Sequence, residues 1–118
     1  DLEKSQGLMH VASLPDSQGM AFMYAVPQQM NFWMKDTWMD LDIAFVLEDG
    51  TVDEIRTMQA GDTRDTFSRS TRIQFAIEMS KGGFTNAGVQ AGSKINLSDL
   101  KKALEARGFN AQRYLPRS

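Results

Sequence analysis

Asn31, Trp33, Lys35 and Asp36, with Trp38 just beyond, are the densest run of side chains able to grip a ligand. Alternation sets Asn31, Trp33 and Lys35 opposite the apolar Met30, Phe32 and Met34. An indole on a sheet surface can stack on a sugar ring or another aromatic, while lysine and asparagine orient a ligand by hydrogen bonding. A sheet covered on both faces would instead make Trp33 a second-layer core residue. The carboxylates Asp36, Asp40, Asp42 and Glu78 are the other candidates. Asp42 and Glu78 each interrupt an apolar strand pattern. On neighbouring strands they could share a cleft, raise one pKa and act as an acid/base pair or hold a hard cation. The alternative is a pair of hydrogen-bonded structural carboxylates, one of them bridged to Lys35.

Other chemistry finds little material. The 118 residues contain no cysteine and a single histidine, His10, so thiolate sites and multi-histidine sites are excluded. The eight methionines fall mostly on strand faces as core filler, and Asp40-Leu41-Asp42 lacks the ligand count of a calcium loop. Neither a metal nor any other cofactor is called for. Ser13, Ser68 and Ser70 lack the context of a nucleophile elbow, and the glycines at 82, 83, 88 and 92 match no phosphate loop. The formal net charge of −2 gives no sign of nucleic-acid binding, and no apolar run approaches the roughly 18 residues that span a bilayer. The total conceals an asymmetry. Residues 36–54 carry seven acids and neither Lys nor Arg, whereas residues 93–118 carry six bases against two acids. Lys101, Lys102, Arg107 and Arg113 therefore form a candidate docking surface for an acidic partner, unless the two charged faces are simply solvated.

The positioning elements are mostly strands. Met20, Phe22, Tyr24 and Val26 alternate up to Pro27, which should end that strand. Leu41, Ile43, Phe45 and Leu47 face away from Asp42, Ala44 and Val46. Ile73, Phe75, Ile77 and Met79 face away from Gln74, Ala76 and Glu78. Val52 to Met58 and Lys94 to Leu97 are shorter candidates. Asp49-Gly50 signals a two-residue type I′ hairpin pairing Leu47 with Val52, and a bulge near Asp53-Glu54 would carry Ile55 onto the Phe45 face. A short helix is expected over Leu2 to Met9, with His10 at its end. Another should run from Asp99 to Arg107, capped by Ser98 and stopped by Gly108. Residues 60–71 read as a long polar loop, and 81–92 as a second loop with room for one helical turn. The start at Asp1 suggests that an upstream segment was removed.

Gly7-Leu8-Met9, Leu14-Pro15, Gly19-Met20-Ala21-Phe22, Phe32-Trp33-Met34-Lys35-Asp36-Thr37 and Leu41-Asp42-Ile43-Ala44-Phe45 follow one another in a familiar order and spacing. Over roughly Lys4 to Leu97 the chain resembles the domain of unknown function 192 family, small conserved proteins of bacteria and archaea. The resemblance implies a mainly β (α+β) fold: a compact, barrel-like antiparallel sheet with one or two short helices, to which this chain adds a C-terminal helix. It brings no established enzymatic activity and tilts the setting toward a periplasmic or secreted one. Members usually carry Asn at the position of Asp36 and Pro at that of Asp40.

The expected organisation is a β-rich domain over residues 1–97 and a helix with a basic tail over 98–118. The functional reading favours a non-catalytic binding or interaction module over an enzyme, offering a Trp/Lys surface beside an acidic edge to a small ligand or a protein. The rivals are a hydrolase using Asp42 and Glu78, and a structural subunit docking through its basic tail.

Overall fold

The computed structural model describes residues 2–3, 8–13, 19–34 and 37–100, the first two stretches as backbone strands. Among the described residues, eight strands form two sheets. One has three strands in the order β1-β4-β7 and the other five in the order β2-β3-β8-β5-β6. The ranges are β1 Leu2–Glu3, β2 Leu8–Ser13, β3 Gly19–Gln28, β4 Asn31–Trp33, β5 Leu41–Leu47, β6 Val52–Met58, β7 Asp65–Phe67 and β8 Ile73–Ser80. All the ladders are antiparallel. The mainly-β expectation holds, but the barrel-like closure does not, because the ladders stop at open edges.

Both faces of the five-stranded sheet are covered. The first core joins Phe22, Tyr24, Ile43, Phe45, Met58, Ile73 and Ala76 to Met30, Phe32 and Met34, which come from β4 and its flanks. The second gathers Ala21, Ala44, Val46, Val52, Phe75 and Ile77 under Phe84 of helix α1 (Gly83–Asn86) and Leu100. Strands with both faces buried read as nearly continuous apolar runs, which is how Leu41–Leu47 reads.

Several local expectations change for physical reasons. Residues 2–3 and 8–13 are strands rather than a helix, since β1 pairs with β4 and β2 with β3, and His10 accordingly lies within β2. Pro27 does not end β3. It sits where the β3–β8 register breaks between Met23 and Gln28, and a residue without an N–H is tolerated at such a break. The hairpin loop has three residues: Gly50 N–H donates to Leu47 O (2.9 Å) and Leu47 N–H to Thr51 O (2.9 Å). Gly50 supplies the positive φ (90°) that this loop type needs at its last position. The bulge does occur in β6, where Val46 pairs with Val52 and Phe45 with Glu54, but Ile55 goes to Ala44 and the second core. A further register shift between Val46 and Leu47 puts Ile73 in the first core while Phe75 and Ile77 lie in the second. Part of the expected polar loop forms β7. A helical turn over residues 97–100 is capped by Asn96 rather than Ser98, with Asp99 N–H donating to Asn96 Oδ1 (3.1 Å).

Candidate functional site

The register of β5 on β8 decides the fate of the two carboxylates. Asp42 pairs with Met79, and Ile43 pairs with Glu78. Successive residues of a strand point to opposite faces, so Asp42 lies on the second-core face and Glu78 on the first, beside Ile43 and Met20. Both are buried, and the sheet stands between them. Paired-carboxylate chemistry needs the two groups across one open cleft, and these side chains leave the sheet in opposite directions. Asp42 is committed elsewhere: Thr57 Oγ1 donates to its Oδ1 (2.7 Å) and the Gly82 N–H to its Oδ2 (2.9 Å). It ties the turn before α1 to the sheet. Ser68 is likewise structural, because its buried Oγ accepts from Met30 N–H (2.9 Å) and donates to Ser70 O (2.8 Å).

Asn31 and Trp33 lie on the outward side of β4, half-buried, opposite Phe67 and Asp65 of β7. Trp38 follows in a loop and is 93% exposed, with Met39 also exposed. Lys35 and Asp36 lie outside the described residues, as do Lys101, Lys102, Arg107 and Arg113 of the basic tail. The structure thus brings Asn31 and Trp33 together on one face with Phe67 and leaves Trp38 on a separate rim.

A groove between β6 and β7 is absent from the sequence reading. No backbone ladder joins the two strands among the described residues, and side chains of β6 reach across instead. Arg56 Nη1 donates to Phe67 O (2.8 Å), and Arg69 N–H donates to Glu54 Oε2 (2.8 Å). Arg69 also reaches back to Asp53 through its Nε (2.9 Å). Glu54 and Arg56 thereby satisfy an otherwise open strand edge, which accounts for the polar Glu54 opposite Phe45. Beyond Arg56 the strands part around a groove of about 280 Å³. Arg56, Thr57 and Met58 form one wall, Asp65 and Thr66 the other, and Gln59, Asp62 and Arg64 line the end. Asp40 Oδ1 accepts from Ala60 N–H (2.8 Å), which anchors the loop carrying Trp38 and Met39 against that end. Its signal in the sequence was the charge alternation of Glu54 and Arg56 on an edge strand, followed by the short alternation Asp65-Thr66-Phe67.

The end of the groove is stiffened by a fork. Arg64 donates through Nε (3.1 Å) and Nη2 (2.9 Å) to the two oxygens of Asp62, and its N–H donates to Oδ1 (2.9 Å). These bonds, the side-chain pair foremost, hold the Asp62 carboxyl at about 2, below its ordinary 3.8. A carboxyl lowered on folding contributes fully above its unfolded value, and the contribution fades as pH falls through the folded one, here between about 3.8 and about 2. An NMR titration of the Asp62 side chain should find its midpoint near 2, and Arg64→Gln should move it part of the way back toward 3.8, since the residue-64 N–H still donates. An identical midpoint in the variant would remove the fork from this account.

A family model for domain of unknown function 192, described as Uncharacterized ACR, matches residues 1–97. No curated protein matches the chain. A solved protein of unknown function from Novosphingobium aromaticivorans is similar, with 29% identity, a TM-score of 0.62 and 77% of this chain covered. A proposed transcription regulator from Sinorhizobium meliloti is similar at 28% identity and a TM-score of 0.61, with 75% of this chain covered. The matches span 69% of the Sinorhizobium chain and 65% of the Novosphingobium chain.

Proposed function

The chain belongs to the domain of unknown function 192 family, and from that premise we propose that it is a non-catalytic binding module. The residues proposed for contact are Asn31, Trp33, Lys35, Asp36 and Trp38. The observation that carries this reading is Trp38, a large apolar side chain 93% exposed on a loop that Asp40 anchors beside a polar groove. Exposed tryptophans recur as binding hot spots, because they supply much contact area for few rotatable bonds. The polar groups that an enzyme would borrow support the same reading. Asp42 and Ser68 hold turns and strands in place, and Glu78 lies across the sheet from Asp42. A nucleic-acid role would ask for a free basic face. Among the described residues, Arg56, Arg64, Arg69, Arg72 and Lys94 lie within 4 Å of carboxylates, so their charge is already matched locally. An extracytoplasmic setting belongs to the proposal, resting on the family resemblance alone. No helix of the described residues is long and apolar enough to cross a membrane.

Calorimetry and tryptophan fluorescence against soluble saccharides, peptides and nucleotides test the reading. Trp38→Ala is expected to weaken the binding found by at least tenfold, on the order of 1.4 kcal/mol or more, with smaller losses for Trp33→Ala and Lys35→Ala. Unfolding of the Trp38 variant should stay within about 0.5 kcal/mol, as for other exposed sites. Binding that survives all three substitutions would dismiss this surface.

A further inference from the structure

We propose that the groove between β6 and β7 is a second contact site beside the tryptophan surface and that it takes one ring of a neutral polyhydroxylated molecule, a saccharide unit. The inference rests on the binding-module reading and names the ligand class for it. Size is the first argument. A pyranose takes about the volume of six waters at roughly 30 Å³ each, so a groove of about 280 Å³ admits one ring with room for hydration.

Charge is the second argument. Arg56 and Arg64 face Asp62 and Asp65 around the groove, so its four charges cancel. An anion would meet the carboxylates and a cation the guanidiniums, whereas a neutral ligand meets neither repulsion and can use all of them as hydrogen-bonding groups. Hydroxyls both donate and accept. The lining is matched to that, with guanidinium donors, carboxylate acceptors and the amphoteric Thr66 and Gln59.

Pre-organisation is the third. Arg64 is fixed by its fork to Asp62, and Arg56 is pinned to Phe67 O, so both present their remaining N–H groups without further loss of rotamer freedom. An extended peptide fits less well, because the 59–64 loop closes the groove at one end and would block a strand from running through.

An amide NMR titration of the full chain with D-glucose, D-galactose and N-acetylglucosamine tests this. Saturable shifts are expected at residues 56–66 for at least one sugar, and Gln59→Ala and Arg64→Gln should each weaken its binding at least tenfold. Both side chains are exposed, so the variants should keep the wild-type amide spectrum elsewhere. If no sugar produces saturable shifts, or if both variants bind as wild type, the saccharide assignment is overturned. A capped hexapeptide and inorganic phosphate serve as further probes. If either shifts the same amides where the sugars do not, the ligand class is wrong and the binding-module reading stands. Silence from every probe, with Trp38 fluorescence also unmoved, overturns both.

Discussion

Phe45→Ala is expected to cost about 3–5 kcal/mol of folding stability, the range for removing a large aromatic from a filled core. Phe45 is wholly buried in β5, flanked by β8 on one side and β6 on the other. Its ring lies 6.1 Å from that of Phe32, which in turn meets Phe22 edge-on at 5.5 Å. Phe22 and Phe45 belong to the five-stranded sheet and Phe32 to the three-stranded one, so the three rings are the seam between sheets. Truncation at Phe45 leaves a void that neighbouring backbone, held in ladders on both sides, cannot collapse to fill. Urea unfolding against wild type gives the number, with Val26→Ala, 59% exposed, as the control expected within about 0.5 kcal/mol. A loss under about 1 kcal/mol would mean that the seam is held by something else. Because Phe32 pairs with Thr66, a loosened seam should also disturb the groove, visible as shifts of the 65–67 amides.

Gly19→Ala is expected to be the most damaging of the small-residue changes. Gly19 opens β3 opposite Met79, and a Cβ built there would land on the Glu78 carbonyl oxygen, with the Met79 Cα also close. The obstacle is backbone in a ladder, so no rotamer change relieves it and the β3–β8 pair must part at that end. Forced overpacking of this kind costs about 1–3 kcal/mol, occasionally more. Gly82→Ala makes a useful contrast. Its φ of 86° disfavours a side chain but nothing stands within 4 Å, so only the conformational strain remains. Hydrogen exchange separates the two cases. Gly19→Ala should speed exchange along residues 19–22 and 77–79, while Gly82→Ala should act only around the α1 turn. Equal melting of Gly19→Ala and wild type would contradict the close approach.

The groove depends on a feature that is not legible locally. Glu54 opposite Phe45 looks like a poor pair, and a bulge moving Ile55 into its place looked better. The chain keeps Glu54 there because the segment after β7 arrives at that edge and offers the Arg69 N–H to its carboxylate. The alternation of Glu54 and Arg56 marks a polar edge, but nothing within residues 52–58 says which segment meets it.

By itself the sequence determined most of the extended segments between residues 19 and 80 and much of the oily filling, although Val26, set by alternation on the Phe22 and Tyr24 face, is exposed. Met30, Phe32, Met34, Ile43 and Phe45 are all buried as their alternation requires, because a pleated strand sorts its side chains with a period of two whatever lies beside it. Tertiary structure alone decided the phase of one strand against the next. A single extra residue, such as Gln74 in the β5–β8 register, moves Ile73 away from Phe75 and into the other core, and the same register sends Glu78 through the sheet from Asp42. It also made strands of residues 2–3, 8–13 and 65–67, segments too short or too polar to extend without a partner's ladder. Alternation is a property of the covalent chain, whereas register and pairing belong to contacts between residues far apart along it.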